Sequence, residues 1–164
     1  MIDLRLCPYP RLLVGSPIKE HQLAEHVELA KTKSANVVKY PTLHAFHGSA
    51  VKNWHSILRE GLHFRETING RAYGHGIYFA KEGSISLGTY SAPAASAWKQ
   101  SEFAVGKVAA ICEIVNLPDE FTSSSPYFVV QHVEWVQARY LIVAKSAGCK
   151  SYTVSAQGRL TAWG

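Results

Sequence analysis

The chain has 164 residues and a mass of 18.1 kDa, long enough for one domain to bury a core without disulfides or a structural metal. With 47% hydrophobic and 18% charged residues and a mean hydropathy of −0.05, it is neither a disordered nor a fibrous chain, and no apolar run approaches the roughly 18 residues of a membrane span. Lys+Arg 17 against Asp+Glu 12 leaves a net charge of +5, which favours a polyanion such as nucleic acid or a dinucleotide pyrophosphate without choosing between them.

The first residues, Met1-Ile2-Asp3-Leu4-Arg5, lack the long apolar core of a signal peptide. Cys7, Cys112 and Cys149 are far apart and odd in number. They read as reduced thiols of the cytoplasm or nucleus, not as a disulfide frame or a zinc site.

Ser16-Pro17 reads as an N-cap followed by a first helical residue. The helix it opens carries Leu23, Val27 and Ala30 on one face and should end near 34–36. Leu43-His44-Ala45-Phe46-His47 then alternates as a strand does. Ser49 is placed to cap a helix over 50–60, with Val51, Trp54, Ile57 and Leu58 on its apolar face and Gly61 at its C-terminal stop. Residues 63–75 are polar and contain the turn signal Asn69-Gly70, so they predict an exposed loop. Gly76-Ile77-Tyr78-Phe79-Ala80 is a short buried strand. Residues 84–100 are rich in small residues, with one helical turn after Pro93. Strands are expected over 105–115, 127–135 and 138–144, with a loop at 118–126. Late strands with few helices between them predict an α+β fold with mainly antiparallel sheet. The expected organisation is an N-terminal extension with one helix over 1–40, a catalytic domain over 41–146, and a loose tail over 147–164.

Most conventional signatures fail. The eight histidines show no metal-ligand spacing. Gly74-His75-Gly76 precedes a strand instead of opening a helix, so it is no dinucleotide fingerprint. Cys112 sits in mid-strand and reads as buried and inert. Trp54, Trp98 and Trp135 read as core residues; no basic–aromatic interleaving of a nucleic-acid surface accompanies them. What remains is a set of polar residues on apolar segments: His47, Tyr78, Ser86, Tyr90 and Tyr127. Each taken singly is more simply a satisfied core residue.

Taken in order they say more. Phe46-His47-Gly48-Ser49, then Asn53-Trp54-His55-Ser56-Ile57-Leu58-Arg59-Glu60-Gly61-Leu62, then Gly70-Arg71-Ala72-Tyr73-Gly74-His75-Gly76-Ile77-Tyr78-Phe79-Ala80 resembles the catalytic domain of the poly(ADP-ribose) polymerase superfamily, the diphtheria-toxin-like ADP-ribosyltransferases. The likeness runs over about 43–145 and is nearest to the mono-ADP-ribosylating members, in particular fungal ones joined to a ubiquitin-conjugating domain.

The resemblance implies an ADP-ribosyltransferase-like fold, NAD as donor substrate, and release of nicotinamide. It implies that His47 binds a ribose hydroxyl and that Gly48 pairs its backbone with the nicotinamide amide. Ser49 is implied in the donor site, Ser86 as donor to the amide oxygen, Tyr90 as the ring that stacks on nicotinamide, and Tyr78 as the opposite wall. Arg65 and Arg71, on the loop over the donor, could face the pyrophosphate but read more simply as solvated charges. The third signature position falls on Tyr127, where polymer-forming members carry glutamate. A tyrosine of pKa near 10 is a poor general base at neutral pH, so transfer of one unit to a protein side chain is expected, with His47, Tyr78 and Tyr127 as the catalytic set. Glu113 and Glu134 lie near but read as exposed or structural. A silent NAD-binding module and modification of nucleic-acid ends are the alternatives. Partners implied are a protein acceptor and ubiquitin-pathway proteins, with no membrane and a monomeric chain.

Overall fold

The structure, a computed structural model, describes residues 17–64, 72–91, 105–145, 152–154 and 160–162. Arg65, Arg71, Trp98, Cys7, Cys149, Ser16 and the turn expected after Pro93 lie outside the described residues.

The sheet is built on its most apolar segment. β3 (Val105–Val115) runs between β1 (Thr42–Gly48) and β5 (Val136–Lys145), antiparallel to both. A central strand is covered on both faces, so it needs apolar residues at successive positions. Val108, Ala109, Ala110, Cys112, Ile114 and Val115 supply them, and all are buried. The expected strand at 127–135 is shorter. Only β4 (Phe128–Val130) is extended, pairing with β2 (Ile77–Phe79), and Val133–Trp135 is a 3-10 turn. The run reads as one strand because Trp135 is buried like a strand residue.

The two sheets are joined at one point. Phe46 of β1 exchanges both backbone hydrogen bonds with Ala80, at 2.9 and 2.8 Å. β1 therefore belongs to the large sheet along its length but touches the small one at its C-terminal end. The functional cleft forms there.

The helices differ from expectation in detail. α1 (Pro17–Lys31) lies where predicted, with Leu23 and Ala30 buried. A second short helix, α2 (Ala35–Lys39), follows it and buries Val37. These residues share one core cluster with Ala110, Ile114 and Leu141 of the sheet. The boundary expected near residue 41 is thus no break in packing. Polar contacts fasten α1 as well. One position of β5, Arg139, has no opposite on β3, because Ile111 pairs with Tyr140 and Cys112 with Ala138. Such a bulge re-aims its side chain. The Arg139 guanidinium meets Glu20 of α1 and, at 2.5 Å, Glu113 of β3.

The helix expected over 50–60 begins as a 3-10 turn (Val51–Asn53) and becomes α3 (Trp54–Glu60). Ser49 does not cap it through its side chain. Its hydroxyl accepts from Asn53 Nδ2 at 3.0 Å and its carbonyl from the Trp54 indole at 3.1 Å. Gly61 ends the helix at φ +87°, a left-handed conformation suited to glycine. After β2, α4 (Gly83–Ile85) widens into a π-helical turn, Ser86–Tyr90. The tail predicted to be loose contains β6 (Tyr152–Val154) and β7 (Leu160–Ala162), paired as a hairpin.

Candidate active site

The cleft opens where β1 and β2 meet. Its volume is about 510 Å³, and it runs from Tyr90 and Tyr127 past Gly48 and His47 to α3. That is the size of an ordinary small-molecule site.

His47 lies opposite Ala110 near the end of β1. Its Nδ1–H donates to the Tyr78 carbonyl at 3.0 Å, because a carbonyl can only accept. Nε2 therefore carries a free lone pair. The ring is held edge-on by Trp54, with centroids 6.2 Å apart, and by Phe79 at 5.8 Å. Burial pushes its pKa below the ordinary 6.5, and the bond to Tyr78 only partly opposes that shift. At neutral pH His47 is an uncharged, oriented acceptor, suited to a hydroxyl of a ligand.

Gly48 is the tightest point of the cleft. A Cβ there would lie 2.3 Å from the Ser86 carbonyl oxygen and 3.0 Å from Tyr90 Cβ. Only glycine lets the end of β1 lie against the π-helical turn. That turn is pinned at its far end by Ser91, whose hydroxyl donates to the Val108 carbonyl at 3.0 Å and accepts from its N–H at 2.9 Å. Ser91 thereby satisfies β3 just beyond Ala109, the residue opposite the last position of β1. Lys107 Nζ reaches the Gly88 carbonyl at 3.3 Å. π-helical turns cluster at functional sites, and this one carries Ser86 and Tyr90.

Ser86 is buried, and its hydroxyl donates to the Phe46 carbonyl at 3.1 Å. Its proton is thus directed away from the cleft, and its lone pairs remain. Donation to a ligand amide requires the hydroxyl to rotate. Tyr78 does three things. Its carbonyl orients His47, its ring lines the cleft, and its hydroxyl holds the end of the preceding loop. That hydroxyl donates to Gly74 O at 2.8 Å and accepts from the Tyr73 N–H at 3.1 Å.

Tyr127 precedes β4 and lines the same cleft. It packs edge to face on Tyr73, with centroids 5.5 Å apart, and on Tyr90, 6.4 Å apart. All six residues named from the motifs, with Ser49, therefore converge on one cleft. Glu113 and Glu134 do not line it. Glu113 accepts from Thr42 and Arg139, and Glu134 pairs with His132. Burial alone would raise the Glu113 carboxyl, but the hydrogen bonds from Thr42 and Arg139, together with the nearby charges of Arg139 and His44, outweigh it and hold the pKa below 4.5. Burial pushes the Cys112 thiol up, so it is no nucleophile.

Motif reading missed Lys52, Asn53, Ser56, Glu60 and His63, which form the α3 side of the cleft. The signal was available in part. Asn53, Ser56 and Glu60 recur at helical spacing beside the apolar face, which marks a polar strip flanking the buried one.

Residues 17–126 match the family described as the poly(ADP-ribose) polymerase catalytic domain. The chain belongs to that family. The match begins at α1, upstream of the residues that carried the resemblance. Among characterised relatives, protein mono-ADP-ribosyltransferase PARP8 of Mus musculus is 34% identical over 129 residues, covering 60% of this chain and 15% of that protein. Its Homo sapiens counterpart is 33% identical over the same length. Protein mono-ADP-ribosyltransferase PARP16 of Mus musculus is 35% identical over 79 residues, covering 47% of this chain and 23% of that protein. The match thus spans 15% of the length of the PARP8 relatives and 23% of PARP16. Among the described residues no helix is long and apolar enough to cross a membrane.

Proposed function

We propose that this chain binds NAD in the cleft and transfers a single ADP-ribose unit to a protein side chain, releasing nicotinamide. One observation carries the reading above the others. The neutral His47 ring, fixed by the Tyr78 carbonyl, stands next to a glycine pressed against the turn that bears Ser86 and Tyr90. Family membership and relatives named as mono-ADP-ribosyltransferases support it.

The residues fit the donor. His47 Nε2 can accept from a ribose hydroxyl of the adenosine half. Gly48 allows its own backbone to approach a flat amide without a side chain intervening. Tyr90 and Tyr78 both line the cleft and would serve as aromatic walls for the nicotinamide ring. Lys52 and His63 line the α3 side of the cleft, where a cationic Lys52 would suit a pyrophosphate.

The chemistry asks little of acids and bases. The bond from the anomeric carbon to the nicotinamide nitrogen breaks, the bond to the acceptor atom forms, and any proton on the acceptor passes to solvent. Nicotinamide leaves carrying the electron pair that neutralises its ring nitrogen. The transition state resembles the oxocarbenium ion of glycoside cleavage. Orientation of the leaving ring and exclusion of water then dominate the rate. Tyr127 offers no carboxylate for activating a ribose hydroxyl, which favours one unit over a polymer.

The test is incubation with labelled NAD and acceptor proteins, with products weighed by mass spectrometry. A mass increase of one ADP-ribose, lost in His47→Ala and Tyr78→Ala, is expected. Donor binding with neither transfer nor hydrolysis refutes the enzymatic reading. Ladders of many units refute the assignment of single transfer.

A further inference from the structure

Tyr90 has an unusual duty for a residue so placed. It ends a π-helical turn and is 45% exposed. An exposed ring on a surface turn samples several rotamers, yet stacking on a flat ligand needs one attitude. The backbone at Tyr90 is fixed by its close approach to Gly48 and by Ser91 on β3. The ring itself needs a separate support.

Tyr127 supplies it. The planes of the two rings stand at 87° with centroids 6.4 Å apart, the edge-to-face arrangement that aromatic pairs prefer. Tyr127 is itself anchored. The next residue, Phe128, pairs with Phe79 on β2. On its other side Tyr127 meets the Tyr73 ring at 66°. Tyr73 in turn is tied by its N–H to the Tyr78 hydroxyl. The four tyrosines form a continuous bracket from the strand beside His47 to the tip of the π-helical turn, with Tyr127 as its only link to Tyr90 among the described ring contacts.

We propose that Tyr127 is a positioning residue for the donor: its ring holds Tyr90 in the attitude that stacks on nicotinamide, and it does not act on the acceptor. The proposal rests on the donor reading above and gives the third signature position a different duty. Burial, followed by hydrogen bonding with Tyr127, raises the Tyr90 pKa, although a tyrosine is un-ionised at neutral pH without that shift.

The test uses the full chain and two probes, nicotinamide and ADP-ribose, with affinities measured by calorimetry. Tyr127→Leu removes the supporting ring. It should weaken nicotinamide about fivefold, the effect of one aromatic pair, and leave ADP-ribose binding unchanged. Tyr127→Phe keeps the ring and should recover most of the loss. In a Tyr90→Leu background, Tyr127→Leu should have no further effect on nicotinamide, because nothing is left to position. An equal loss for both probes assigns Tyr127 a merely structural role and overturns the proposal. So does undiminished nicotinamide affinity, or independent, additive losses in the double variant. If the parent chain binds neither probe, the donor reading itself falls, and this inference with it. If it binds both probes, the two questions separate.

Discussion

Two glycines in and beside one turn provide a sharp test of how the cleft is built. At Gly48 an added Cβ would lie 2.3 Å from the Ser86 carbonyl oxygen, 2.9 Å from its carbon and 3.0 Å from Tyr90 Cβ. Ordinary contact needs about 3.5 Å, so Gly48→Ala must drive the strand end and the turn apart by about 1 Å. The atoms met first are backbone, which cannot swing aside as a side chain can. Overpacking of this kind costs about 1–3 kcal/mol. In a chain of this length that corresponds to a fall in Tm of about 3–10 °C. The effect on the site should be larger than the effect on the fold. A displacement of about 1 Å in a positioned group costs on the order of a hundredfold in rate. Gly88 is the matched control. It lies in the same turn, and a Cβ there meets nothing within 4 Å. Gly88→Ala should be neutral or stabilising by up to about 1 kcal/mol, through the unfolded chain. The assay pairs thermal melting with nicotinamide affinity and with the rate of nicotinamide release from NAD for both variants. If Gly48→Ala retains the parent's melting temperature and affinity, or if Gly88→Ala loses as much, the close approach is not what shapes the cleft.

Three further outcomes are expected. Tyr78→Phe removes the hydroxyl that bonds Gly74 and Tyr73. Its local cost is about 1 kcal/mol, and it should raise KM for NAD more than it lowers kcat; unchanged steady-state constants would contradict this. His47 has its pKa depressed below 6.5 by burial. ADP-ribose affinity should therefore be flat above that pH and fall only as pH drops through the lower folded value, where Nε2 takes a proton. The same depression means that its contribution to stability is complete above 6.5 and lost as pH falls below it. Calorimetry across the range will show this, and an affinity loss beginning above 6.5 rejects it. Glu113 is held below 4.5 by Thr42 and Arg139, against the burial that would raise it. Its stabilisation is present above 4.5 and lost as pH falls through the folded value. Glu113→Gln should cost about 2 kcal/mol at neutral pH and flatten the acid limb of a stability profile; an acid limb as steep as the parent's counts against it.

The site was more legible in sequence than the fold around it. His47, Gly48, Tyr78, Ser86, Tyr90 and Tyr127 stand in an order and spacing that few other constraints produce, and they meet in one cleft. The helix of 50–60 was readable because Val51, Trp54, Ile57 and Leu58 repeat at its period. Its 3-10 start was not, because the Ser49 hydroxyl is taken by Asn53, a side-chain choice that local pattern does not reveal. The π-helical turn was equally hidden. Its width is set by Ser91 on Val108 and by the approach of Gly48, both contacts across the chain. The α1 docking depends on a bulge that aims Arg139 at Glu20 and Glu113. A bulge is decided by strand register, which sequence period alone leaves free.

By itself the sequence determined a basic, single-core α+β chain, and its ordered motifs determined which residues to watch. The net charge of +5 did not select a ligand. Tertiary structure decided what those residues can do. The bridge from Phe46 to Ala80 brings the Tyr78 carbonyl within reach of His47, which sets the tautomer and so the acceptor face of the ring. The ring packing around Tyr127 joins it edge to face to Tyr73 on one side and Tyr90 on the other. Both depend on contacts between segments distant in the chain, and distance in space is the quantity a linear pattern does not carry.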